Sequence, residues 1–236
     1  MSRSTLKTTA INAEIRKAQA AAATPPVAAG KKGAPKDKAV AAAAPKGAGE
    51  IRIIGGQWKR TRLPVAQRPG LRPTPDRVRE TLFNWLGQDL TGLRCVDAFA
   101  GTGALGLEAA SRGAVEVLLV ENDGALVKTL TALKTRLKAD AVRVERGDGV
   151  AALQQRRGQG LDVVFLDPPF GDDGNPALFN AALLAARQAL GEQGLIYLEA
   201  PRAWTADELA QLGLQLHRQG KAGVVHFHLL QPLPPQ

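Results

Sequence analysis

The stretch at residues 95–110, CVDAFAGTGALGLEAA, decides the fold of this chain. Its apolar start lies in a strand predicted at 94–99, and three glycines follow in GxGxxG spacing at Gly101, Gly103 and Gly106. Glycines at a strand-to-helix turn let backbone amides approach a ligand and direct the N-terminus of a helix towards it. The stretch therefore predicts a strand, a ligand-binding loop and a helix, which form the first unit of an alternating α/β fold.

Short apolar segments alternate with helical patterns from this stretch onwards. Strand character is found at 94–99, 116–121, 142–146, 161–167 and 194–199. Helical character is found at 104–112, 123–138, 149–157, 176–190 and 205–212. The alternation predicts βαβ units and a mostly parallel, doubly wound sheet. Residues 214–231 contain two strand-like runs with no helix between them, which predicts a terminal antiparallel hairpin.

Length and composition limit the class of protein. The chain has 236 residues, of which 44% are hydrophobic and 22% charged, and these values are typical of a soluble globular protein. Its single cysteine, Cys95, excludes an internal disulfide framework and any metal site built from several cysteines. The sequence has neither the run of about 18 apolar residues that a membrane helix needs nor the apolar core of a secretory signal. We therefore expect a cytoplasmic protein with no membrane span and no metal.

Positive charge is concentrated at the front of the chain. Residues 1–49 carry a net charge of +7, residues 50–86 carry +5 and residues 87–236 carry −3. This asymmetry predicts a polyanionic partner bound by the N-terminal third, although residues 1–49 are equally compatible with a solvated tail that aids solubility. These 49 residues are rich in Ala, Pro, Gly and Lys and are predicted to be disordered. The expected parts are this tail, a basic arm with a helix at 50–90, and an α/β domain at 91–236.

The basic arm has its own pattern. In residues 50–65, EIRIIGGQWKRTRLPV, strand formers alternate with basic residues around Gly55 and Gly56, which predicts a short basic hairpin. Prolines follow, and Asp76 is the expected N-cap of an amphipathic helix. The arm is therefore expected to lead directly into a helix.

Two acids near the glycine loop indicate the kind of cofactor. Glu121 ends the second strand of the α/β pattern, where a carboxylate can accept hydrogen bonds from both hydroxyls of a ribose. Asp97 would repel the pyrophosphate of a dinucleotide but attract the ammonium and sulfonium groups of S-adenosylmethionine. The pattern therefore favours S-adenosylmethionine over NAD. Two structural alternatives stay open: Asp97 can cap amides of the loop, and Asp148 can be a helix N-cap as well as a contact to the adenine edge.

A second motif, FLDPPF at 165–170, ends the fourth strand segment. Ligands of open α/β sheets bind beyond the carboxyl ends of the strands, so this motif is expected beside the glycine loop. The prolines fix the Asp167 carboxylate and the Pro168 carbonyl as two acceptors that match the two hydrogens of an exocyclic amino group, and Phe170 offers a face for stacking a base. An ordinary Pro-Pro strand exit with a packed Phe is the structural alternative.

These motifs together carry a resemblance. DAFAGTGALGLEA with FLDPPF resembles the class I S-adenosylmethionine-dependent methyltransferases that modify exocyclic amino groups. The upstream IRIIGGQWKRTRLPV and GLRPTPDRVRETLFNWL resemble the RsmD family, the bacterial 16S ribosomal RNA guanine-N2 methyltransferases acting on guanine 966. The resemblance covers roughly residues 50–231, although the family usually has Thr-Thr in place of Thr74-Pro75 and a shorter N-terminus. It implies a Rossmann-like fold with a seven-stranded, mostly parallel sheet, an RNA-binding arm at 50–90 and a methyltransferase domain at 91–236.

The resemblance also implies the residues of the site. S-adenosylmethionine is expected at Asp97, Phe99, Gly101, Gly103, Glu121, Asn122, Asp148 and Gly149. A flipped guanine is expected at Asp167, Pro168, Pro169 and Phe170. RNA contacts are expected from the basic arm and the start of its helix: phosphate contacts from Arg52, Lys59, Arg60 and Arg62, and contacts nearer the mouth of the pocket from Arg72, Thr74, Arg77 and Arg79. The expected partner is 16S ribosomal RNA, in the small ribosomal subunit or in an assembly intermediate, and the protein is expected to be a monomer.

Three other functions are compatible with the residues alone. Because Asp-Pro-Pro-Phe suits any exocyclic amine, the first is an N6-adenine or N4-cytosine methyltransferase acting on DNA or another RNA. The second is an NAD-dependent oxidoreductase, which would use the glycine loop with Glu121. The third is a non-catalytic RNA-binding protein that depends on the basic arm alone.

Overall fold

The computed structural model describes residues 50–65, 74–171 and 174–234. The predicted tail at 1–49 and Arg72 lie outside the described residues. The strands are β1 (Glu50–Arg52), β2 (Arg62–Pro64), β3 (Arg94–Asp97), β4 (Glu116–Glu121), β5 (Val142–Arg146), β6 (Leu161–Leu166), β7 (Leu190–Ala200), β8 (Leu214–Ala222) and β9 (Val225–Pro232). The helices are α1 (Asp76–Trp85), α2 (Ala104–Ser111), α3 (Gly124–Leu137), α4 (Gly149–Gln154), α5 (Pro176–Ala189) and α6 (Ala206–Gln211).

One large sheet organises the described chain. Its seven strands lie in the order β5-β4-β3-β6-β7-β9-β8. The first five of these are parallel, and β9 is antiparallel to both β7 and β8. This arrangement confirms the predicted Rossmann-like fold with its terminal antiparallel hairpin. The strand predicted at 194–199 begins four residues earlier, because Leu190 already pairs with Leu161 of β6.

Two layers of helices cover the sheet, one on each face. Neighbouring residues of a strand point to opposite faces, so Cys95 of β3 packs in one hydrophobic cluster and Val96 in the other. The first cluster includes buried side chains of α1, α2 and α3, and the second includes those of α4, α5 and α6. In the described ranges, no helix has the length and the apolar character needed to cross a membrane.

The basic arm folds as the predicted hairpin and packs on the first face. β1 and β2 are antiparallel, with Ile51 opposite Leu63. Ile53 and Leu63 are both fully buried and belong to the same hydrophobic cluster as Leu82 and Phe83 of α1. The arm therefore shares its core with the large sheet.

A buried carboxylate holds the arm against α2. The two oxygens of Glu108 accept hydrogen bonds from the backbone N–H groups of Ile54 and Gly55, each at 2.7 Å. Glu108 also pairs with Arg79 (3.4 Å) and with Arg112 (2.8 Å), and its side chain is fully buried. Because α2 begins at the glycine loop, this single carboxylate connects the arm to the helix that follows that loop.

The start of α1 differs from the prediction. The prediction that Asp76 caps this helix is wrong, because Pro75 occupies the N-cap position and no side chain caps the helix. Asp76 is the first helical residue, where the positive end of the helix dipole favours a carboxylate. Its oxygens accept hydrogen bonds from Arg52 (3.0 Å) and Arg79 (2.6 Å).

If the arm and the sheet share one core, shortening a buried side chain of the arm should destabilise the whole domain. We expect Leu63→Ala to lower the free energy of unfolding by about 2–5 kcal/mol, the usual cost of a cavity at a fully buried leucine. The matched control Leu184→Ala changes an exposed leucine of α5 and should stay within about 0.5 kcal/mol of the original protein. Urea denaturation followed by circular dichroism measures both values. A similar, small effect of the two changes would show that the arm unfolds independently of the sheet.

Candidate active site

The sheet order places the two predicted loops side by side. The chain moves outwards from β3 to β4 and β5, and then crosses to the other side of β3 to form β6 and β7. Such a reversal leaves a crevice at the carboxyl ends of the two central strands. Asp97 of β3 is in register with Phe165 of β6, and the Ala98 N–H donates to the Phe165 carbonyl at 3.1 Å. The glycine loop and the Asp-Pro-Pro-Phe loop therefore leave the sheet at neighbouring points.

The glycine loop makes a tight turn into α2. Gly101 and Gly103 both have positive φ, at 51° and 77°, and Gly103 is the N-cap residue of α2. Glu121 stabilises this turn: one of its oxygens accepts the Gly101 N–H and the other accepts the Asp123 N–H, each at 2.8 Å. A carboxylate has about four acceptor positions, so these two bonds leave Glu121 with capacity for the hydroxyls of a ribose.

Asp97 is buried beneath the loop with one oxygen unsatisfied. Its side chain is 1% exposed, and Oδ2 accepts the Gly106 N–H at 2.9 Å. Among the described residues Oδ1 has no hydrogen-bond partner. Burial raises the pKa of Asp97 to about 7; the charges of Glu121 and Glu199 add to this rise, while the N–H groups of Gly106 and Phe99 oppose it.

The unsatisfied oxygen fits the predicted cofactor. Removing a carboxylate from water costs several kcal/mol, whereas a hydrogen bond to a charged group returns about 1.5–3 kcal/mol. An ammonium group at Oδ1 would supply both the missing donor and the opposite charge. The structural alternative, in which Asp97 bonds an amide of the glycine motif, is seen at Oδ2, which accepts the Gly106 N–H, and the cofactor role of Oδ1 stays a prediction.

The remaining predicted cofactor residues lie around the same crevice. Phe99, in the turn after β3, is half-buried, whereas Asn122 is exposed just beyond β4. Asp148 is the N-cap of α4, as one alternative predicted, and it accepts the Ala151 N–H at 2.8 Å. At Gly149 any Cβ atom would overlap the carbonyl oxygen of Ala98, so only glycine lets α4 come this close to the end of β3.

The Asp-Pro-Pro-Phe loop presents one acid and one ring. Asp167 is half-buried at the end of β6, Pro168 is buried and Pro169 is exposed. The ring of Phe170 is half-buried and packs on Phe179 of α5, with 6.0 Å between ring centroids. Burial raises the pKa of Asp167 well above its usual value, and the negative charges of Glu199 and Asp97 raise it further.

Sequence reasoning missed a third acid in this crevice. Glu199, near the carboxyl end of β7, is 5% exposed and accepts hydrogen bonds from the hydroxyls of Thr74 (2.7 Å) and Tyr197 (2.9 Å). Burial raises its pKa, although both of these hydroxyl donors lower it. The run LIYLE at 195–199, which ends with this acid, could have indicated it, because a carboxylate at the carboxyl end of an apolar strand faces the same edge as Asp97 and Asp167.

The predicted RNA contacts divide into two groups. Five of the residues are exposed: Arg52, Lys59, Arg60, Arg62 and Arg77. Two of these five are engaged on the surface, Arg52 by Asp76 (3.0 Å) and Arg62 by Glu50 (2.9 Å). Such exposed pairs contribute about 0–1 kcal/mol, so they leave the side chains available to another anion.

Two predicted RNA contacts must be corrected. Arg79 is fully buried, where its guanidinium donates to the Thr74 carbonyl and pairs with Asp76 and Glu108. Thr74 is 3% exposed, and its hydroxyl is committed to Glu199. Neither side chain can reach an RNA from these positions.

The described residues contain no group of His, Cys, Asp and Glu side chains that could hold a metal ion.

Comparison with known proteins identifies the family. The family model described as "Conserved hypothetical protein 95" matches residues 51–231. The ribosomal RNA small subunit methyltransferase D of Escherichia coli (strain K12) is 42% identical over 194 residues, which are 78% of this chain and 91% of that relative. The protein of the same name from Haemophilus influenzae is 38% identical over 198 residues, 79% of this chain and 96% of the relative.

The chain belongs to the RsmD family.

Solved structures agree with this membership. A putative methyltransferase from Escherichia coli has a TM-score of 0.66 and 38% identity, and the match covers 78% of this chain and 99% of that one. A putative methylase from Haemophilus influenzae has a TM-score of 0.63 and 33% identity, with coverage of 79% and 100%. Membership of the RsmD family favours methyl transfer over the oxidoreductase and the non-catalytic module that the residues alone left open.

The buried state of Asp97 predicts a pH dependence of stability. Its pKa is about 7 in the folded protein, against an ordinary value of 3.8, so the folded state binds more protons between these two values. The contribution of Asp97 to the free energy of unfolding is fully present below about pH 4 and is lost as the pH rises through about 7. Asp97→Asn removes the titrating group. In this variant the free energy of unfolding should therefore fall less between pH 5 and pH 8 than it does in the original protein.

Urea denaturation at several pH values measures this slope. The exposed aspartate Asp140 provides a matched control, because Asp140→Asn leaves the buried group in place. Equal pH slopes for Asp97→Asn and the original protein would contradict the raised pKa.

Proposed function

We infer that this protein transfers a methyl group from S-adenosylmethionine to the N2 amino group of a guanine in 16S ribosomal RNA of the small subunit. Its similarity to the ribosomal RNA small subunit methyltransferase D proteins, over most of both chains, carries this inference. The crevice supports it independently, because an unsatisfied buried carboxylate lies beside a loop that carries acceptors for an amino group. For the finer assignment we propose guanine 966 as the target.

The cofactor residues act by charge and by hydrogen bonding. S-adenosylmethionine supplies an electrophilic methyl group on a positively charged sulfur. Asp97 would accept a hydrogen bond from the ammonium group through Oδ1, Glu121 would accept from the ribose hydroxyls, and the turn at Gly101 and Gly103 would let the backbone approach. Asp148 keeps its role as helix cap and offers its second oxygen to the adenine.

The Asp-Pro-Pro-Phe loop orients the target amine. The lone pair of an aromatic amine is delocalised into the ring, so the nitrogen is a poor nucleophile until its geometry changes. Acceptors at Asp167 and the Pro168 carbonyl bind the two amine hydrogens and direct the lone pair towards the methyl group. With the donor bound, its sulfonium would supply the methyl group and leave with the electrons of the C–S bond, and Asp167 would accept the surplus proton of the methylated amine. The half-buried ring of Phe170 offers its remaining face to the base.

The arm binds the phosphates of the RNA. The exposed cations Arg52, Lys59, Arg60 and Arg62 lie on the arm, and Arg77 lies on the first turn of α1. Contacts of such cations with phosphates position a nucleic acid without reading its sequence. Selection of one guanine therefore depends on the shape of the RNA and on the pocket for the extruded base. Ribosomal RNA as the substrate also suits the expected cytoplasmic location.

Labelled-methyl transfer to small ribosomal subunits, taken from cells that lack this protein, tests the function. We expect one labelled guanine, identified as N2-methylguanine by mass analysis of nucleosides, and no label in DNA.

Asp167→Ala should lower the turnover number at least about 100-fold, within the range that acid–base groups contribute. Its affinity for S-adenosylmethionine, measured by calorimetry, should be nearly unchanged. Asp140→Ala, at an exposed aspartate, is the matched control. Label in DNA adenine or cytosine instead would overturn the proposed substrate.

The same assay can use naked 16S RNA, assembly intermediates and complete subunits. We propose a subunit or a late intermediate as the substrate, because the arm adds a second surface of exposed cations outside the crevice. Turnover that is highest on naked RNA would contradict this choice.

Removing charge from the arm should weaken RNA binding alone. We expect Lys59→Ala with Arg60→Ala and Arg62→Ala to weaken binding and to flatten the dependence of log K on log salt by about one unit for each lost phosphate contact. Affinity for S-adenosylmethionine should not change. Arg157→Ala, at an exposed arginine before the start of β6 on the opposite side of the sheet, is the control. Filter binding at several salt concentrations measures the slope, and an unchanged slope would place the RNA elsewhere.

A further inference from the structure

Glu199 is a buried acid that the proposed mechanism does not yet use. It has two hydroxyl donors on one oxygen, from Thr74 at 2.7 Å and from Tyr197 at 2.9 Å. Carboxylates are almost never buried to 5% exposure unless they are paired or functional. Within the described chain, no Lys or Arg side chain forms an ion pair with this residue. A buried acid without a cation needs an explanation other than stability.

The register of the sheet places this acid next to Asp167. Phe165 is opposite Tyr197 and Leu166 is opposite Leu198 in the β6–β7 pairing, so the next position along brings Asp167 beside Glu199. Side chains alternate between the faces of a sheet, and Phe165 and Tyr197 both pack in the first hydrophobic cluster. The two carboxylates therefore lie on the same face of the sheet and on neighbouring strands, whose backbones are about 4.8 Å apart.

The charge of Glu199 acts on Asp167. The negative charge of Glu199 is the largest electrostatic influence that raises the pKa of Asp167, after burial itself. Asp97 on β3 raises it too, and the Asp167 charge in turn raises the pKa of the Tyr197 phenol. A carboxylate next to another negative charge binds hydrogen-bond donors and protons more strongly.

We propose that Glu199 is a positioning residue for methyl transfer: fixed by Thr74 and Tyr197, it holds a negative charge beside the Asp167 carboxylate and so strengthens the hydrogen bonds of Asp167 to the target amine. The proposal rests on the proposed function for its catalytic consequence, but the coupling of the two carboxylates does not depend on it. Asp167 touches the substrate, whereas Glu199 acts through Asp167.

Thr74 extends this arrangement towards the arm. It immediately precedes Pro75, the N-cap residue of α1, and its carbonyl accepts the Arg79 Nε–H at 3.2 Å. Arg79 pairs with Glu108, which holds the backbone of the arm. One series of hydrogen bonds and ion pairs therefore joins the arm to the residue beside Asp167, and Thr74 is the point where this series meets the active site.

The first experiment measures the coupling without any substrate. Carboxyl-13C aspartate labelling and NMR follow the titration of Asp167, with the resonance assigned by its loss in Asp167→Asn. We expect Glu199→Gln, which keeps an acceptor oxygen for Thr74 and Tyr197, to lower the pKa of Asp167. Glu192→Gln, an exposed position at the amino end of the same strand, should leave it unchanged. An unchanged Asp167 titration in Glu199→Gln would overturn the proposal.

The second experiment measures the consequence for turnover on small ribosomal subunits. Since Asp167 must be ionised to accept the amine hydrogens, activity falls as the pH drops through its pKa. Glu199→Gln should move this fall to lower pH and reduce the plateau turnover number about tenfold, as expected for a weaker acceptor, with S-adenosylmethionine affinity within about twofold of the original. A profile that superimposes on that of the original protein, or a parallel loss of cofactor binding, would contradict a positioning role.

Thr74 provides a second pair of variants in case Glu199→Gln does not fold. Thr74→Val removes the hydroxyl donor and should lower the turnover number, whereas Thr74→Ser keeps the donor and should restore most of it. Equal effects of the two changes would refute the role of the hydroxyl. If the original protein methylated no ribosomal RNA, the proposed function would fail, and the NMR titration would still decide whether Glu199 acts on Asp167.

Discussion

The candidate active site depends on three buried acids that pair with no cation of the described protein. Asp97, Asp167 and Glu199 lie at the carboxyl ends of three neighbouring strands. Burial, hydrogen bonds and, for the two aspartates, the charges of nearby acids including Glu121 shift their pKa values, and no cation is among these influences. Holding such groups together costs several kcal/mol. A positively charged ligand removes this cost, so the crevice favours a cationic methyl donor over a pyrophosphate.

The arm and the crevice form one structural unit. Glu108 fixes the backbone of the arm to α2, and α2 begins at the glycine loop. On the other side, α1 is joined to the crevice by the hydrogen bond from Thr74 to Glu199. The surface proposed to bind RNA is therefore attached to both the cofactor side and the acceptor side of the site. Arg79 is buried and is part of this attachment, whereas Arg77, two residues earlier, is exposed.

Local patterns were sufficient to predict most of the elements. GxGxxG after an apolar run and the alternation of strands with helices depend on neighbours in sequence, so the parallel sheet and the terminal hairpin could be derived before the structure. The same approach failed where long-range contacts decide. Arg79 and Thr74 were predicted as RNA contacts because they belong to the basic front of the chain, but their buried partners Glu108 and Glu199 lie 29 and 125 residues further along the chain.

The sequence by itself determined which chemical groups are available: a glycine loop, acids at strand ends, a rigid Asp-Pro-Pro-Phe turn and an excess of cations before residue 87. Only the tertiary structure decided which of these groups meet. The β6–β7 register puts Glu199 beside Asp167, and the packing of α1 on the sheet turns one arginine inwards and leaves another in solvent. The physical reason is that proximity across strands and helix faces depends on register and packing, which no short stretch of sequence specifies.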